Sequence, residues 1–273
     1  MRALADPLPA AAGRQGRLYF WGERALYLGR GLPATVHTHH AIQICIPLSG
    51  PVRLRTGPGA HWREYGAAVV PANQPHESDL AVDLIATLWV EPSRADTPRR
   101  WAPPGSRSPI VSVQTAKLAP VAERLAACWR ESWDSQRAAT LTKEIVRLVA
   151  LDRPGRELHD PRVARALEIL DSAPERRVKL AEVAAGVHLS PSRLAHLLSA
   201  EIRMPARRYL LWLRLRDALQ ALARGVSITT AAHAAGFADA PHLDRTFRRM
   251  LGFTPSAALR VSKFVQDTVT EPR

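Results

Sequence analysis

The stretch VHTHHAIQICI, residues 36–46, sets His37, His39 and His40 within four positions, just ahead of an apolar run that also holds Gln43 and Cys45. Imidazole ligates zinc, iron, nickel or copper in its neutral form, and it also hydrogen-bonds carboxylates and hydroxyls, so the pattern suits a metal or an organic ligand. Side chains alternate along a strand with a period of two. A continuous strand here therefore places His37, His39, Gln43 and Cys45 on one face and His40, Ile42, Ile44 and Ile46 on the other. Gln43 carries no charge, so the first face has no anionic ligand unless Cys45 supplies a thiolate, which disfavours hard cations.

A second group of chemistry-bearing residues lies in the last hundred positions, where the chain repeats itself. LAEVAAGVHLSPSRLAHLL at 180–198 is echoed by ITTAAHAAGFADAPHLDRTF at 228–247, with Leu180 matching Ile228, Ala184 matching Ala232 and Leu189 matching Phe237. Leu194 matches Leu243 after one extra residue in the second turn. Ser190 and Asp239 are N-cap types, Pro191 suits a first helical position, and Gly236 can adopt the left-handed conformation that ends a helix. Each copy thus reads as helix, turn, helix, and Pro205 to Ala223 reads as a spacer helix with Leu211, Leu215, Leu219 and Leu222 on one stripe, stopped at Gly225. Flanking helices begin at Asp160–Pro161 and Thr254–Pro255.

The chain carries a net charge of +13 with a pI near 11.0, and residues 161–260 hold 16 Arg plus Lys against 8 Asp plus Glu. Basic excess and the doubled motif coincide, which favours a polyanionic partner through counterion release. With AAHAAGFADAPHLDRTFRRMLGFTP at 231–255 the segment resembles the DNA-binding domain of AraC/XylS-type transcription regulators. Two departures stand out: Leu243 replaces the usual aromatic, and Arg203 replaces the usual glycine before the spacer helix.

The resemblance implies that both second helices enter successive major-groove segments of double-stranded DNA. It places Ser192, Ala195 and His196 of the first, and Ala240, Pro241, His242, Asp244 and Arg245 of the second, near base edges. Arg245 suits guanine, Asp244 cytosine, and Ser192 or His196 several bases, while Ala195, Ala240 and Pro241 offer apolar contact to a thymine methyl. Arg193, Arg248 and Arg249 are placed for phosphates.

Residues 17–92 contain short β-type runs, LYFW, ALYLG, AIQICIPL, VRLR, AAVV and LIATLWV, parted by Gly and Pro turns; about six strands at this spacing suggest a small barrel or sandwich. Gly31, His37, His39, Gln43 and Gly50 reproduce the spacing of the first cupin motif, with Gln43 at the usual glutamate. Gly66, Pro71, Asn73 and His76 resemble the second, shortened by one residue, with Leu80 at the usual asparagine. The resemblance implies a cupin-like sensor barrel in which His37, His39, Gln43 and Cys45 point inward and His76 joins them. Three imidazoles and an amide would hold a divalent zinc, nickel, copper or iron ion; an organic effector or a plain structural cluster are the other two readings.

In between, Leu118, Val121, Leu125 and Cys128 or Trp129 recur at helical spacing, as do Leu141, Ile145 and Leu148, predicting two antiparallel helices. These either pair two subunits into a homodimer, as the resemblance implies, or cover the sheet of the barrel.

The expected fold is α+β in two domains: a cupin-like effector-sensing barrel at 1–112, a helical coupling or dimerisation segment at 113–152, a linker at 153–160 and an all-α double helix-turn-helix at 161–262. Cys45 and Cys128 are too few and too far apart for a disulfide framework. The N-terminus has aspartate and prolines where a signal peptide needs an apolar core, and no run reaches a membrane span, so the expected setting is the cytoplasm without membrane contact. No nucleophile–base constellation or phosphate-binding glycine loop is found. The reading is a DNA-binding transcription regulator and not an enzyme, its barrel sensing a metal ion or a small organic effector; the alternative is a metal-dependent, dioxygenase-like cupin enzyme fused to a DNA-binding domain.

Overall fold

The computed structural model describes residues 16–80, 82–92, 109–149, 160–172 and 179–265. Among them are eleven strands and nine helices. A seven-stranded sheet runs β10 (Val111–Ser112), β7 (Ala68–Val70), β4 (Ile42–Pro47), β9 (Ile85–Val90), β2 (Arg24–Gly29), β1 (Gly16–Phe20) and β11 (Ser262–Val265). A four-stranded sheet runs β3 (Ala34–His37), β8 (His76–Asp79), β5 (Val52–Arg55) and β6 (Arg63–Tyr65). All six runs read as β from the sequence are strands. Those missed include β3 and β8, whose sequences ATVH and HESD lack the apolar alternation that marks a strand.

The histidine segment is not one continuous strand. β3 ends at His37 in one sheet, the chain crosses at 38–41, and β4 begins at Ile42 in the other. The alternation within β4 still holds. Ile42, Ile44 and Ile46 pack outward with Leu118, Val121, Leu125 and Trp129, while Cys45 faces inward among Val52, Leu54, Val70 and Ile85. Two glycines serve this geometry: a Cβ at Gly31 would lie 1.6 Å from the Leu80 carbonyl oxygen, and Gly50 turns the chain at φ +72°.

Helices α1 (Thr115–Glu131) and α2 (Ser135–Val149) spend their apolar stripes on the outer face of the large sheet, in one core with Ile42, Ile44, Leu26 and Leu88. They cover that sheet within the chain. Leu148, expected on the buried stripe, is 37% exposed, and Val149 is buried in its place. Most of the expected linker, 153–159, lies outside the described residues.

The C-terminal unit follows the sequence reading closely. It comprises α3 (Pro161–Ser172), α4 (Leu180–Gly186), α5 (Pro191–Ile202), α6 (Ala206–Ala223), α7 (Ile228–Ala234), α8 (Ala240–Leu251) and α9 (Pro255–Val261). Ser190, Ser227, Asp239 and Thr254 each accept a hydrogen bond from the backbone N–H three residues on, satisfying donors that a helix start leaves orphaned. Gly236 takes φ +77°, and Arg203 adopts the left-handed conformation itself at φ +53° and ends α5.

The expected all-α C-terminal unit at 161–262 is helical through Val261, and one strand follows it. Beyond α9 the chain forms β11, which pairs in parallel with β1 from Gly16↔Ser262 to Tyr19↔Val265. The C-terminal unit thus adds a strand to the edge of the barrel sheet, satisfying backbone groups that an open edge would leave to solvent.

Candidate functional site

Helices α5 and α8 carry the DNA-facing candidates, those for base edges nearer their starts and Arg248 and Arg249 in the last turn of α8. On α5, Ser192, Arg193 and His196 are exposed and Ala195 is half-buried. On α8, Pro241, Arg245, Arg248 and Arg249 are exposed, while Ala240, His242 and Asp244 are half-buried. The core positions Leu194, Leu198, Leu243, Phe247 and Met250 hold both helices against α6 and their partners. His242 sets its ring edge-on to Phe237 at 5.2 Å, and Asp244 pairs with Arg248 one turn later at 3.1 Å. That pair engages Asp244 with Arg248 on the helix surface, and Arg245 is exposed beside it.

The other end of α8 meets the barrel. Gly252 ends the helix at φ +81°, and its carbonyl accepts from Thr35 N at 3.2 Å and Thr35 Oγ1 at 3.0 Å. Arg249 O accepts from Thr38 N at 3.3 Å. Nearby, Arg208 Nη2 donates to Thr38 O and Asn73 Nδ2 to Ile202 O, both at 3.0 Å. The strand that carries His37 is thus sewn to the end of the second reading helix.

α6 forms the rest of this seam. The leucine stripe read from the sequence accounts for only part of its burial: Tyr209, Trp212, Leu213 and Arg216 are also buried, because the helix is covered by its own unit on one side and by the barrel on another. Trp212 Nε1 donates to Glu91 Oε2 at 2.8 Å. Arg216 Nη2 bonds Asp171 Oδ1 at 2.7 Å, with its Nη1 3.5 Å from Glu91. His40 Nε2 lies 3.2 Å from Glu91 Oε1, and its ring stands edge-on to Tyr209 at 5.2 Å. Glu91 is 2% exposed, so a barrel carboxylate meets cationic and indole groups of α6 in a dry site. Glu91, Trp212, Arg216 and Gly252 were not singled out by sequence reasoning, and Asn73 was singled out only as part of the second cupin-like motif, not for this seam. The one available signal was a Trp and an Arg on α6 lying off the leucine stripe.

The expected inward-facing cluster forms. His37, His39 and His76 are 4%, 1% and 0% exposed, and each can offer a ring nitrogen to a set lying within 4.8 Å of one another. Their Nδ1 atoms all face backbone carbonyls: Thr35 O at 2.7 Å, Ala41 O at 2.7 Å and Gln74 O at 2.9 Å. Gln43 Oε1 is 3.1 Å from His39 Nε2 and accepts from Trp89 Nε1 at 3.0 Å, while Gln43 Nε2 donates to Cys45 Sγ at 3.2 Å. Burial pushes the Cys45 thiol up to about 11, which favours the protonated thiol in the metal-free chain. Burial likewise holds His37 down to about 3 and lowers His39, His40 and His76. All four are neutral imidazoles at physiological pH, the form in which a metal is bound.

Beside the cluster opens an apolar cavity of about 110 Å³. The barrel contributes Leu18, Ile85 and Trp89; the C-terminal unit contributes Trp212, Leu219, Phe247 and Phe253; Arg24, His37, Gln43, Glu91 and Arg216 are among the polar groups set between them. Its walls belong to both units.

Residues 183–260 match a family described as a helix-turn-helix domain. The chain is 24% identical over 236 residues to the HTH-type transcriptional regulator NimR of Escherichia coli (strain K12), across 82% of this chain and 81% of that one. Its fold is similar to ToxT from Vibrio cholerae O395, with a TM-score of 0.59 at 11% identity over 88% of this chain and 98% of that one. ToxT from Vibrio cholerae strain SCE256, solved bound to an unsaturated fatty acid, gives a TM-score of 0.56 at 10% identity over 87% and 94%. Both units of this chain and their order along it are thus found together in a known fold. No helix among the described residues is long and apolar enough to cross a membrane.

Proposed function

We infer, from the premise that this chain is an AraC-type helix-turn-helix transcription regulator, that an apolar small molecule entering the cavity between barrel and C-terminal unit sets how the two reading helices meet DNA. The observation that carries the reading is the shared wall. An occupant that touches Leu18 and Trp89 on one side and Phe247 and Phe253 on the other gains most when the units are docked, so it biases that arrangement. Apolar walls with a few polar groups suit a mainly hydrocarbon molecule with one polar end. Apolar carboxylic acids are the first class to test, since the fold-related ToxT is solved with such a molecule and Arg24 lines the cavity here.

Regulation without catalysis is the favoured reading of the barrel, because its histidines lie beneath α6 and the end of α8. A fused oxygenase would instead consume oxygen with a substrate, and an oxygen electrode reads that directly. Pairing of two chains into a homodimer would use the exposed faces of α1 and α2, where Leu148 lies, and sedimentation measures it.

The experiment is to select the operator from random duplexes with the full chain, then titrate apolar acids of graded length while reading operator affinity. The expected result is a shift of roughly 5-fold or more for acids that bind. Saturable binding of such an acid with operator affinity unchanged would refute the effector role and leave the DNA-binding role standing.

A further inference from the structure

We propose that β11 is a detachable strap: paired with β1 it closes one wall of the cavity and holds the second helix-turn-helix against the barrel, and unpaired it lets that motif go. The link to an occupant of the cavity rests on the regulator reading; the strap itself does not.

β11 is the last described element, and it reaches back to pair with the first. The ladder is small. Four residue pairs join it to β1, the two strands run parallel, and among the described residues no strand lies beyond it. Parallel pairing is slightly weaker per residue than antiparallel and ordinarily sits in sheets covered on both faces. A short parallel pair at a sheet edge does not stand on its own hydrogen bonds, so side-chain packing must fix it.

Those side chains alternate between two cores. Phe264 packs with Leu222 of α6 and Ala231 of α7, and α7 is the helix that precedes α8 in the second repeat. Val265 packs instead against the outer core of the barrel, which holds Tyr19 and Trp129. Their partners on β1 follow the same order: Leu18, opposite Phe264, lines the cavity, and Tyr19, opposite Val265, lies in the outer core. Burial on both faces specifies this register, since a slip by one residue would exchange them. One residue of β11 therefore grips the DNA-binding unit and the next grips the barrel.

The same strand borders the cavity. Leu18 and Phe20 of β1 line it together with Val261 and Ser262, where α9 passes into β11. Ser262 is buried, and its Oγ donates to Ala258 O at 2.6 Å, which ties the start of β11 to α9. The bonds from Thr35 to Gly252 and from Trp212 to Glu91 hold the unit at α8 and α6, and β11 adds a third hold from the edge of β1. Parting β11 from β1 opens that wall and takes Phe264 away from α7. An occupant lying between Leu18 and Val261 touches both sides of the junction, so it favours the paired state.

The test keeps the chain at full length. Lys263→Pro with Phe264→Pro removes the N–H that faces β1 whichever of the two residues carries it. Ser262 is already extended at φ −132° and ψ 144°, as the residue before a proline must be, so α9 is spared. Lys263→Ala with Phe264→Ala loses the same side chains but keeps both N–H groups, and serves as the control. Small-angle scattering reads docking, and calorimetric titration with octanoic acid reads the cavity. The proline pair should expand the chain relative to the alanine pair and weaken octanoic acid by roughly 10-fold, the effect of losing one or two ladder hydrogen bonds. Leu18→Cys with Phe264→Cys locks the strap when oxidised, because neighbouring strands lie about 4.8 Å apart, within disulfide reach. The oxidised form should bind octanoic acid at least as tightly as its own reduced form. Equal scattering from the proline and alanine pairs overturns the strap, and so does an oxidised form that binds more weakly than the reduced one. Where octanoic acid binds none of the chains, scattering still decides the strap, and the effector reading alone loses its support.

Discussion

Replacing Gly252 by alanine separates backbone strain from the fit of the seam. Both Gly252 (φ +81°) and Gly225 (φ +84°) lie in the left-handed region, where a residue with a Cβ costs roughly 1–2 kcal/mol. A Cβ at Gly225 meets nothing within 4 Å, whereas at Gly252 it meets His37 Nδ1 and Thr35 O at 2.7 Å and Ala34 Cβ at 2.8 Å. Those neighbours are backbone and a buried ring, so α8 must move away from β3. Doing so breaks the two hydrogen bonds from Thr35 to Gly252 O, worth about 1 kcal/mol each. The two variants should therefore differ by about 2 kcal/mol, or roughly 30-fold in the ratio of docked to undocked units. Small-angle scattering reports the separation, and scanning calorimetry reports whether the units still unfold together. If Gly252→Ala matches Gly225→Ala in both measurements, the seam does not hold α8 and the reasoning fails.

Stability should fall steeply in mild acid. His37, His39, His40 and His76 have folded pKa values pressed below the ordinary 6.5 by burial, so the unfolded chain takes up protons below about 6.5 that the folded chain refuses. The contribution is present above that pH and is lost as the pH falls, by about 1 kcal/mol per unit for each histidine. Urea midpoints of metal-free protein at pH 7.5 and 5.5 check this, and equal midpoints would contradict it. Glu91→Ala should cost about 3 kcal/mol, since Arg216 and Trp212 Nε1 lose a buried partner, and calorimetry would expose a surface-like loss of under about 0.5 kcal/mol as a failure of the argument. On DNA, Arg245→Ala should relax preference at one base by about 1–3 kcal/mol, whereas Arg249→Ala should weaken all sequences alike and lower the salt slope by about 1, as anisotropy at several salt concentrations would reveal.

What the sequence made legible follows from how local each cause is. Ser190, Gly236 and Asp239 act within one turn of the backbone, so caps and helix ends could be placed from residue type alone, and the doubled motif with them. The cluster of His37, His39 and His76 was legible through the resemblance to the cupin motifs, although the strands that carry two of its members were not, because ATVH and HESD are polar strands held by their neighbours. The seam was illegible for a different reason. Trp212 and Arg216 are buried by a partner more than a hundred residues away in the chain, and on an isolated α6 they would read as a solvated or core-facing face. β11 was missed likewise: SKFV becomes a strand only because the edge of β1 is there to pair with it.

Cavity and histidine cluster share one consequence of this arrangement. His37 and Gln43 line the cavity as well as the cluster, and Phe247, Leu251 and Phe253, at and just beyond the end of α8, form the facing wall. When the units part, each half of the wall faces water and the cavity ceases to exist, so an occupant that needs both halves binds only the docked state. For such an occupant, docking and binding are one equilibrium: a 100-fold preference for the docked state shifts it by about 2.7 kcal/mol. That exceeds the two Thr35 hydrogen bonds that join β3 to the end of α8. A small molecule therefore has enough leverage here to decide whether α8 meets DNA tethered to the barrel or released from it.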